Sequence, residues 1–161
     1  MATHFLPHLR DVHHDGPSQS PAAAAAIVFV TSGLAVVPFP RCANYCATKA
    51  ALHSLAWTLR TQLSGPHSPA THHIRVIEIM PPAVQTELHP QQADLVAAGQ
   101  TKVGLPLEEY IEETWADLIA ESGEDEIVHS SLRQRIGGFE GQRRETYDGF
   151  VAMMRKTGAK F

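Results

Sequence analysis

A serine, a tyrosine and a lysine in the first third of the chain have types and a spacing suited to proton transfer. Tyr45 and Lys49 are four residues apart, and Ser32 lies 13 residues before Tyr45. A phenol is a poor proton donor at neutral pH, and a neighbouring ammonium improves it because it favours the phenolate. A serine hydroxyl can hold a carbonyl or alcohol oxygen against that phenol. Such a trio suits proton exchange with a substrate oxygen while a hydride moves at the adjoining carbon.

The segments around these residues predict a strand and a helix that would position them. Residues 27–30 are apolar throughout, which favours a buried parallel strand. Ser32 then falls at the carboxyl end of that strand, where open α/β sheets bind ligands. The pattern becomes helical from Asn44, a suitable N-cap, to about residue 64. Tyr45 and Lys49 are therefore predicted to be neighbours on one helix face.

These motifs resemble the short-chain dehydrogenase/reductase family, in which a serine at a strand end precedes a Y-x-x-x-K helix. Residues 74–86 resemble the next strand of that family and its Pro-Gly-x-x-x-Thr turn. Pro81 and Thr86 match the turn, whereas Pro82 replaces the usual glycine and Met80 the frequent asparagine. The resemblance implies an α/β fold, a partial Rossmann-like doubly wound parallel sheet. The strands at 27–31 and 74–79 should be parallel neighbours joined by the helix at 44–64.

The resemblance also implies an activity. The family consists of NAD(P)-dependent oxidoreductases that interconvert small-molecule carbonyls and alcohols. By that likeness the catalytic residues are Ser32, Tyr45 and Lys49. The residues that would contact NAD or NADP are Tyr45, Lys49, Pro81, Pro82, Val84 and Thr86. The sequence does not distinguish NAD from NADP.

A glycine-rich turn, T-G-x-x-x-G-x-G, normally opens members of this family and holds the cofactor phosphates. The 161-residue sequence has no such motif. We therefore expect a single truncated domain over 1–161 that corresponds to the C-terminal half of a reductase and is weakly active or inactive alone. The missing half could come from another chain or be lost through a misassigned start codon. Alternatively, the chain is a non-catalytic interaction module that dimerises through the 44–64 helix.

The remaining segments carry weaker predictions. Residues 1–10 resemble the end of a helix, 11–21 a polar connection, and the alanine run at 22–26 has no assigned function. The region 87–125 corresponds to the family's substrate flap and a helix, with an amphipathic pattern at 107–119 and a short strand at 127–128. A C-terminal helical tail is predicted over 139–161, with its helix at 142–156.

Composition narrows the class of protein. A hydrophobic content of 43% is ordinary for a globular domain, and the net charge of −4 argues against nucleic acid or an acidic membrane as partner. No apolar run reaches membrane-spanning length and no signal peptide is recognised, so a cytoplasmic protein is expected. Ten histidines occur without zinc-ligand spacing, so no metal is predicted. Cys42 and Cys46 have a C-x-x-x-C spacing rather than a redox C-x-x-C.

Overall fold

Three strands form a parallel sheet in chain order: β1 (Ala25–Val30), β2 (Ile74–Met80) and β3 (Glu126–Val128). The computed structural model describes residues 2–11, 25–120 and 123–161. In β1 and β2, Ile27 lies opposite Val76. The predicted α/β fold, with its two parallel neighbouring strands, is confirmed. The expectations for 11–21 and for the start of the alanine run lie largely outside the described residues.

Five helices accompany the sheet within the described ranges. They are α1 (Ala2–Asp11), α2 (Ala43–Leu63), α3 (Ala93–Ala97), α4 (Leu107–Ile119) and α5 (Ser130–Lys156). The chain connects β1 to α2 through two 3-10 turns, Gly33–Ala35 and Pro40–Cys42. α2 then returns the chain to β2, as predicted for the crossover.

The start of α2 differs from the prediction. Cys42, not Asn44, is the N-cap, and it makes no capping hydrogen bond with its side chain. Pro40 begins the preceding 3-10 turn, because its fixed φ angle suits a first helical position. Since that turn runs directly into α2, the helical path starts before Asn44, which lies inside the helix. The Asn44 cap prediction is wrong.

The main apolar core lies between α2 and one face of β1 and β2. Its buried members are Ala56 and Leu63 from α2 and Ile74 and Val76 from β2. Leu6 and Leu9 of α1 pack against this cluster, as do Ile27 and Phe29 of β1. The predicted N-terminal helix is therefore present and contributes apolar side chains to the core.

β1 is less buried than its all-apolar sequence predicts. Its residues alternate between half-buried and exposed, and Val28 and Val30 are 46% and 52% exposed. Among the described residues β1 pairs with β2 alone, so it is an edge strand with one face on the core. Burial of the second face requires helices or strands packed against it, and the apolar sequence of β1 does not show whether these are present. The prediction of a strand buried on both faces is wrong.

The C-terminal elements follow the predicted order, but α5 is longer than predicted. It begins at Ser130 rather than near residue 142. The Glu113 carboxylate accepts hydrogen bonds from the backbone N–H and hydroxyl of Ser130, and His129 Nδ1 accepts one from Ser131 N–H at 3.2 Å. These caps stabilise an early start despite the glycines near the middle of the helix. α4 matches the predicted bounds, and its apolar stripe is largely exposed, with Trp115 at 60%.

Candidate active site

The carboxyl ends of β1 and β2 are joined by backbone hydrogen bonds. Thr31 N–H donates to the Ile79 carbonyl at 2.8 Å, and Gly33 N–H donates to the Pro81 carbonyl at 2.9 Å. Ser32 lies between these two bonds and is buried. Its hydroxyl oxygen accepts a hydrogen bond from Leu34 N–H at 3.1 Å. The predicted serine is therefore held at the strand end, where ligands bind in such sheets.

Tyr45 and Lys49 lie together on the first turns of α2. The Lys49 ammonium donates to the Val30 carbonyl at 2.7 Å, so the lysine is tied to the end of β1. Its Nζ is 5.5 Å from the centre of the Tyr45 ring. The Tyr45 side chain is 45% exposed and accessible to a small molecule. The structure thus brings tyrosine and lysine together, while convergence of all three residues on one oxygen stays a prediction.

The turn at 81–86 follows β2 and lies beside Gly33. Leu105 accepts a hydrogen bond from Gln85 N–H at 2.8 Å and donates one to the Ala83 carbonyl at 2.9 Å. Gly104 makes this pairing possible, since its φ is +104° and a Cβ atom there would lie 2.3 Å from the Ala83 oxygen. Pro81, Pro82 and Val84 are half-buried and Thr86 is exposed. Cofactor contact by these four residues stays a prediction.

Arg41 connects the loop before α2 to the segment predicted as a substrate flap. Its Nε donates to the Asp94 carboxylate at 3.0 Å and its Nη2 donates to the Gln92 side-chain oxygen at 2.9 Å. The hydrogen bond from this guanidinium holds the pKa of Asp94 below its usual range. The boundaries 87–125 and 139–161 stay predictions, but α3 is physically linked to the chain four residues before Tyr45.

A buried polar network lies directly behind Ser32, and the sequence analysis missed it. The Thr31 hydroxyl donates to Glu78 Oε1 at 2.6 Å, and His53 Nδ1 lies 2.8 Å from the same oxygen. His53 Nε2 lies 3.1 Å from Glu140 Oε2 on α5. His53 is 1% exposed and Glu78 is 0% exposed. Four elements therefore meet in one chain of hydrogen bonds that ends next to the predicted catalytic serine.

The contacts of His53 define its protonation state. Each ring nitrogen faces a carboxylate, and an ionised carboxylate only accepts hydrogen bonds, so both nitrogens must donate. Burial, the largest influence, acts to lower the pKa of His53, but the hydrogen bonds and charges of Glu140 and Glu78 outweigh it and raise the pKa. Burial likewise acts to raise the pKa of Glu140, yet the bonds from His53 and Arg143 hold it below its usual range. The two contacts and the raised pKa together favour an imidazolium between two carboxylates.

Two sequence signals could have revealed this network. Glu78 stands between apolar residues of β2, and a charge buried in a strand needs a partner. His53 follows Tyr45 and Lys49 at the same four-residue interval on α2. The distant partner, Glu140, has no local signature because it approaches from another helix.

Within residues 2–11, 25–120 and 123–161, no helix has the length and apolar character that a membrane crossing requires. No set of three or more His, Cys, Asp or Glu side chains in those ranges is gathered as potential metal ligands.

The chain is similar to a family of short chain dehydrogenases, to a curated oxidoreductase and to a solved short chain dehydrogenase. A family model described as short chain dehydrogenase matches residues 17–95. The uncharacterized oxidoreductase DltE of Bacillus subtilis (strain 168) is 40% identical over 130 residues, which make up 81% of this chain and 46% of DltE. A crystal structure of a short chain dehydrogenase from Burkholderia cenocepacia J2315, in complex with NADP, has a TM-score of 0.59 at 24% identity. That similarity covers 92% of this chain and 52% of the other, so the chain spans about half the length of these relatives.

Proposed function

The chain belongs to the short-chain dehydrogenase/reductase family, and from this premise we propose that it carries the acid–base residues of an NAD(P)-dependent oxidoreductase. The substrates would be small-molecule carbonyls or alcohols. The observation that carries the proposal is the anchoring of Lys49 to the Val30 carbonyl beside Tyr45, two residues from Ser32 at the same strand end. That arrangement supports proton transfer at an oxygen atom.

Each residue has a defined part in the proposed reaction. The Tyr45 phenol gives its proton to the carbonyl oxygen during reduction and takes it back during oxidation. The bond from Leu34 uses Ser32 Oγ as an acceptor, so the hydroxyl hydrogen can be donated to the substrate oxygen. The Lys49 ammonium has three hydrogens, of which one goes to Val30, so two can be donated to other acceptors at the site.

A nicotinamide cofactor would supply or accept the hydride when bound. The residues at one end of the site fit it: the exposed Tyr45 and the Lys49 ammonium are suited to the ribose. Pro81, Pro82, Val84 and Thr86 form a turn beside the same strand ends, suited to the carboxamide. The pyrophosphate end has no counterpart, because the sequence has no glycine-rich turn. The proposal therefore assigns only the nicotinamide end to this chain.

The test removes the Tyr45 hydroxyl while keeping the ring. In a form of the protein that turns over NADH or NADPH, Tyr45→Phe should lower turnover by about 10²–10⁴-fold, the contribution of a positioned acid–base group. Tyr110→Phe is the matched control, since Tyr110 lies on α4 with its ring beside His129. Turnover in Tyr45→Phe equal to that of the control would remove Tyr45 from the mechanism.

A second candidate function is a non-catalytic interaction module that self-associates through α2. The exposed Leu55 on this helix, 47% exposed, favours it. Sedimentation velocity would separate the two functions. We expect Leu55→Glu to shift a self-associating chain toward monomer, whereas Ile111→Glu on the exposed stripe of α4 controls for general loss of apolar surface. Identical sedimentation of wild type and Leu55→Glu would exclude this use of α2.

A further inference from the structure

The two cysteines of the chain meet at the start of α2. Cys42 ends the 3-10 turn before the helix and Cys46 lies in the first helical turns. Their sulfur atoms are 3.8 Å apart, and the chain has only these two cysteines. Both thiols are free, with Cys46 buried and Cys42 half-buried. A dithiol therefore lies on the turn that carries Tyr45.

The backbone of Phe39 holds both sulfurs in this arrangement. Its carbonyl oxygen lies 3.7 Å from Cys42 Sγ and 3.6 Å from Cys46 Sγ. Its N–H donates to Cys46 Sγ at 3.3 Å. Because one peptide segment contacts both thiols, their separation is fixed by the fold rather than by two independent rotamers.

The sulfur separation suits a bridging atom. A disulfide needs its sulfurs at about 2.05 Å, much closer than the observed pair. Two bonds of about 2.3 Å, the length of a metal–thiolate bond, that meet at about 100° on a pyramidal trivalent centre place their sulfurs about 3.5 Å apart, close to the observed separation. The thiols are therefore arranged to chelate a soft, thiophilic atom with little movement.

An apolar groove adjoins the dithiol and restricts the kind of ligand. It has a volume of about 440 Å³ and is lined by Cys46 together with small and apolar residues, among them Leu34, Pro38, Phe39, Ala43 and Ala47. A hydrocarbon substituent on the chelated atom would lie on this surface, whereas a charged oxyanion would gain nothing from it.

We propose that Cys42 and Cys46 form a chelating site for trivalent organoarsenicals with an apolar substituent. An arsenoso compound, R–As=O, reacts with both thiols to give R–As(S–Cys)₂ and one water. Two As–S bonds form and the As–O bonds break. The two thiol protons leave with the oxygen as water, and arsenic stays trivalent, so no oxidant or reductant is required. The inference is independent of the oxidoreductase function.

The protonation of the thiols is compatible with this exchange. Burial, followed by the hydrogen bond with Cys46, raises the pKa of the Cys42 thiol, while the charge of Arg41 acts in the opposite direction. In the balanced reaction both thiol protons end in the water that is released. The balanced reaction therefore does not require a thiol that is deprotonated beforehand.

The experiment uses phenylarsine oxide and the full 161-residue chain. Intact mass spectrometry should show one phenylarsenic group per chain, with both thiols lost to a thiol-reactive dye. Excess glutathione should leave the adduct intact and dithiothreitol should remove it. Cys42→Ala and Cys46→Ser should each weaken retention by about 10²–10⁴-fold, because the second bond is then no longer intramolecular.

The controls separate chelation from ordinary thiol reactivity. Circular dichroism checks that the variants fold. If Cys46→Ser does not fold, Cys42→Ala still tests the site, because Cys42 is only half-buried. Inorganic arsenite should be retained less well than phenylarsine oxide, since it lacks the apolar group. Two arsenic groups per chain, release by glutathione, or wild-type retention by folded Cys42→Ala would overturn the dithiol site. Equal retention of arsenite and phenylarsine oxide would overturn the role of the groove.

Discussion

The buried His53 network makes a definite prediction about stability and pH. Glu140→Gln removes one of the two carboxylates that face His53 but keeps an amide oxygen in a similar place. The hydrogen bond from the His53 imidazolium thereby loses its charged acceptor in a site where His53 is almost fully buried. We expect the free energy of unfolding to fall by about 1–3 kcal/mol near pH 6, the cost of weakening a buried bond to a charged group.

The sign of the pH dependence follows from the raised pKa of His53. The stabilisation that protonated His53 gives the folded state is fully present below the pKa of an unfolded histidine, about 6.5. It is lost as the pH rises through the higher pKa of the folded state. Within that window stability should fall by up to about 1.4 kcal/mol per pH unit. The lowered pKa of Glu140 affects stability at acid pH. The stabilisation from ionised Glu140 is present above an unfolded pKa of about 4.3 and is lost as the pH falls through the lower pKa of the folded state.

Urea unfolding at closely spaced pH values, followed by circular dichroism, would measure both effects. In Glu140→Gln the alkaline loss of stability should begin at the same pH but end at a lower pH and be smaller, because one of the two groups that raise the folded-state pKa of His53 has lost its charge. Glu145→Gln is the matched control, with the same chemistry at an exposed position on α5. Wild-type stability that is flat or rising between pH 6.5 and 8.5, or a control variant that behaves like Glu140→Gln, would refute the assignment of an imidazolium at His53.

Two other predictions concern the cofactor and the 81–86 turn. The 161-residue chain alone should bind NADH and NADPH weakly or not at all, because it lacks the glycine-rich turn. The fluorescence of the buried Trp57 and the exposed Trp115 would report binding. Saturable binding at micromolar cofactor by a monomeric sample would contradict the prediction. Gly104→Ala should lower the free energy of unfolding by about 1–3 kcal/mol, because its Cβ would strike the Ala83 backbone in a strained conformation. Gly99→Ala, also at positive φ but with open space around it, should cost less free energy when both variants are measured by urea unfolding, and equal losses would show that the contact with Ala83 is unimportant.

The sequence predicted the elements whose signals are local. The β1–α2–β2 order and the pairing of Tyr45 with Lys49 follow from apolar runs and helical spacing, and both are present. The cap at Asn44 failed because Pro40 starts the helical path earlier. The exposure of Val28 could not be read from the strand, because burial depends on what packs against it.

The buried part of the candidate site was not predictable in full for a related reason. Thr31 follows β1, His53 lies on α2 and Glu78 lies on β2, and only the buried charge in β2 and the helical spacing of His53 mark them in the sequence. Glu140 joins them from a helix 87 residues away in sequence from His53. Local periodicity does not contain that contact, so only the tertiary structure reveals the second carboxylate.

The His53 network also limits the evolutionary paths open to the chain. Losing one member strands a buried charge, and removing one partner of a buried pair typically costs about 3–5 kcal/mol, whereas a well-packed apolar set in its place is often neutral. Positions 53, 78 and 140 are therefore epistatic: each single step is disfavoured although a joint replacement is tolerable. Replacement of the network during evolution mainly requires an intermediate protein whose fold is already stabilised by substitutions at other positions. Among homologues, these three positions should consequently be exchanged as a set rather than drift independently.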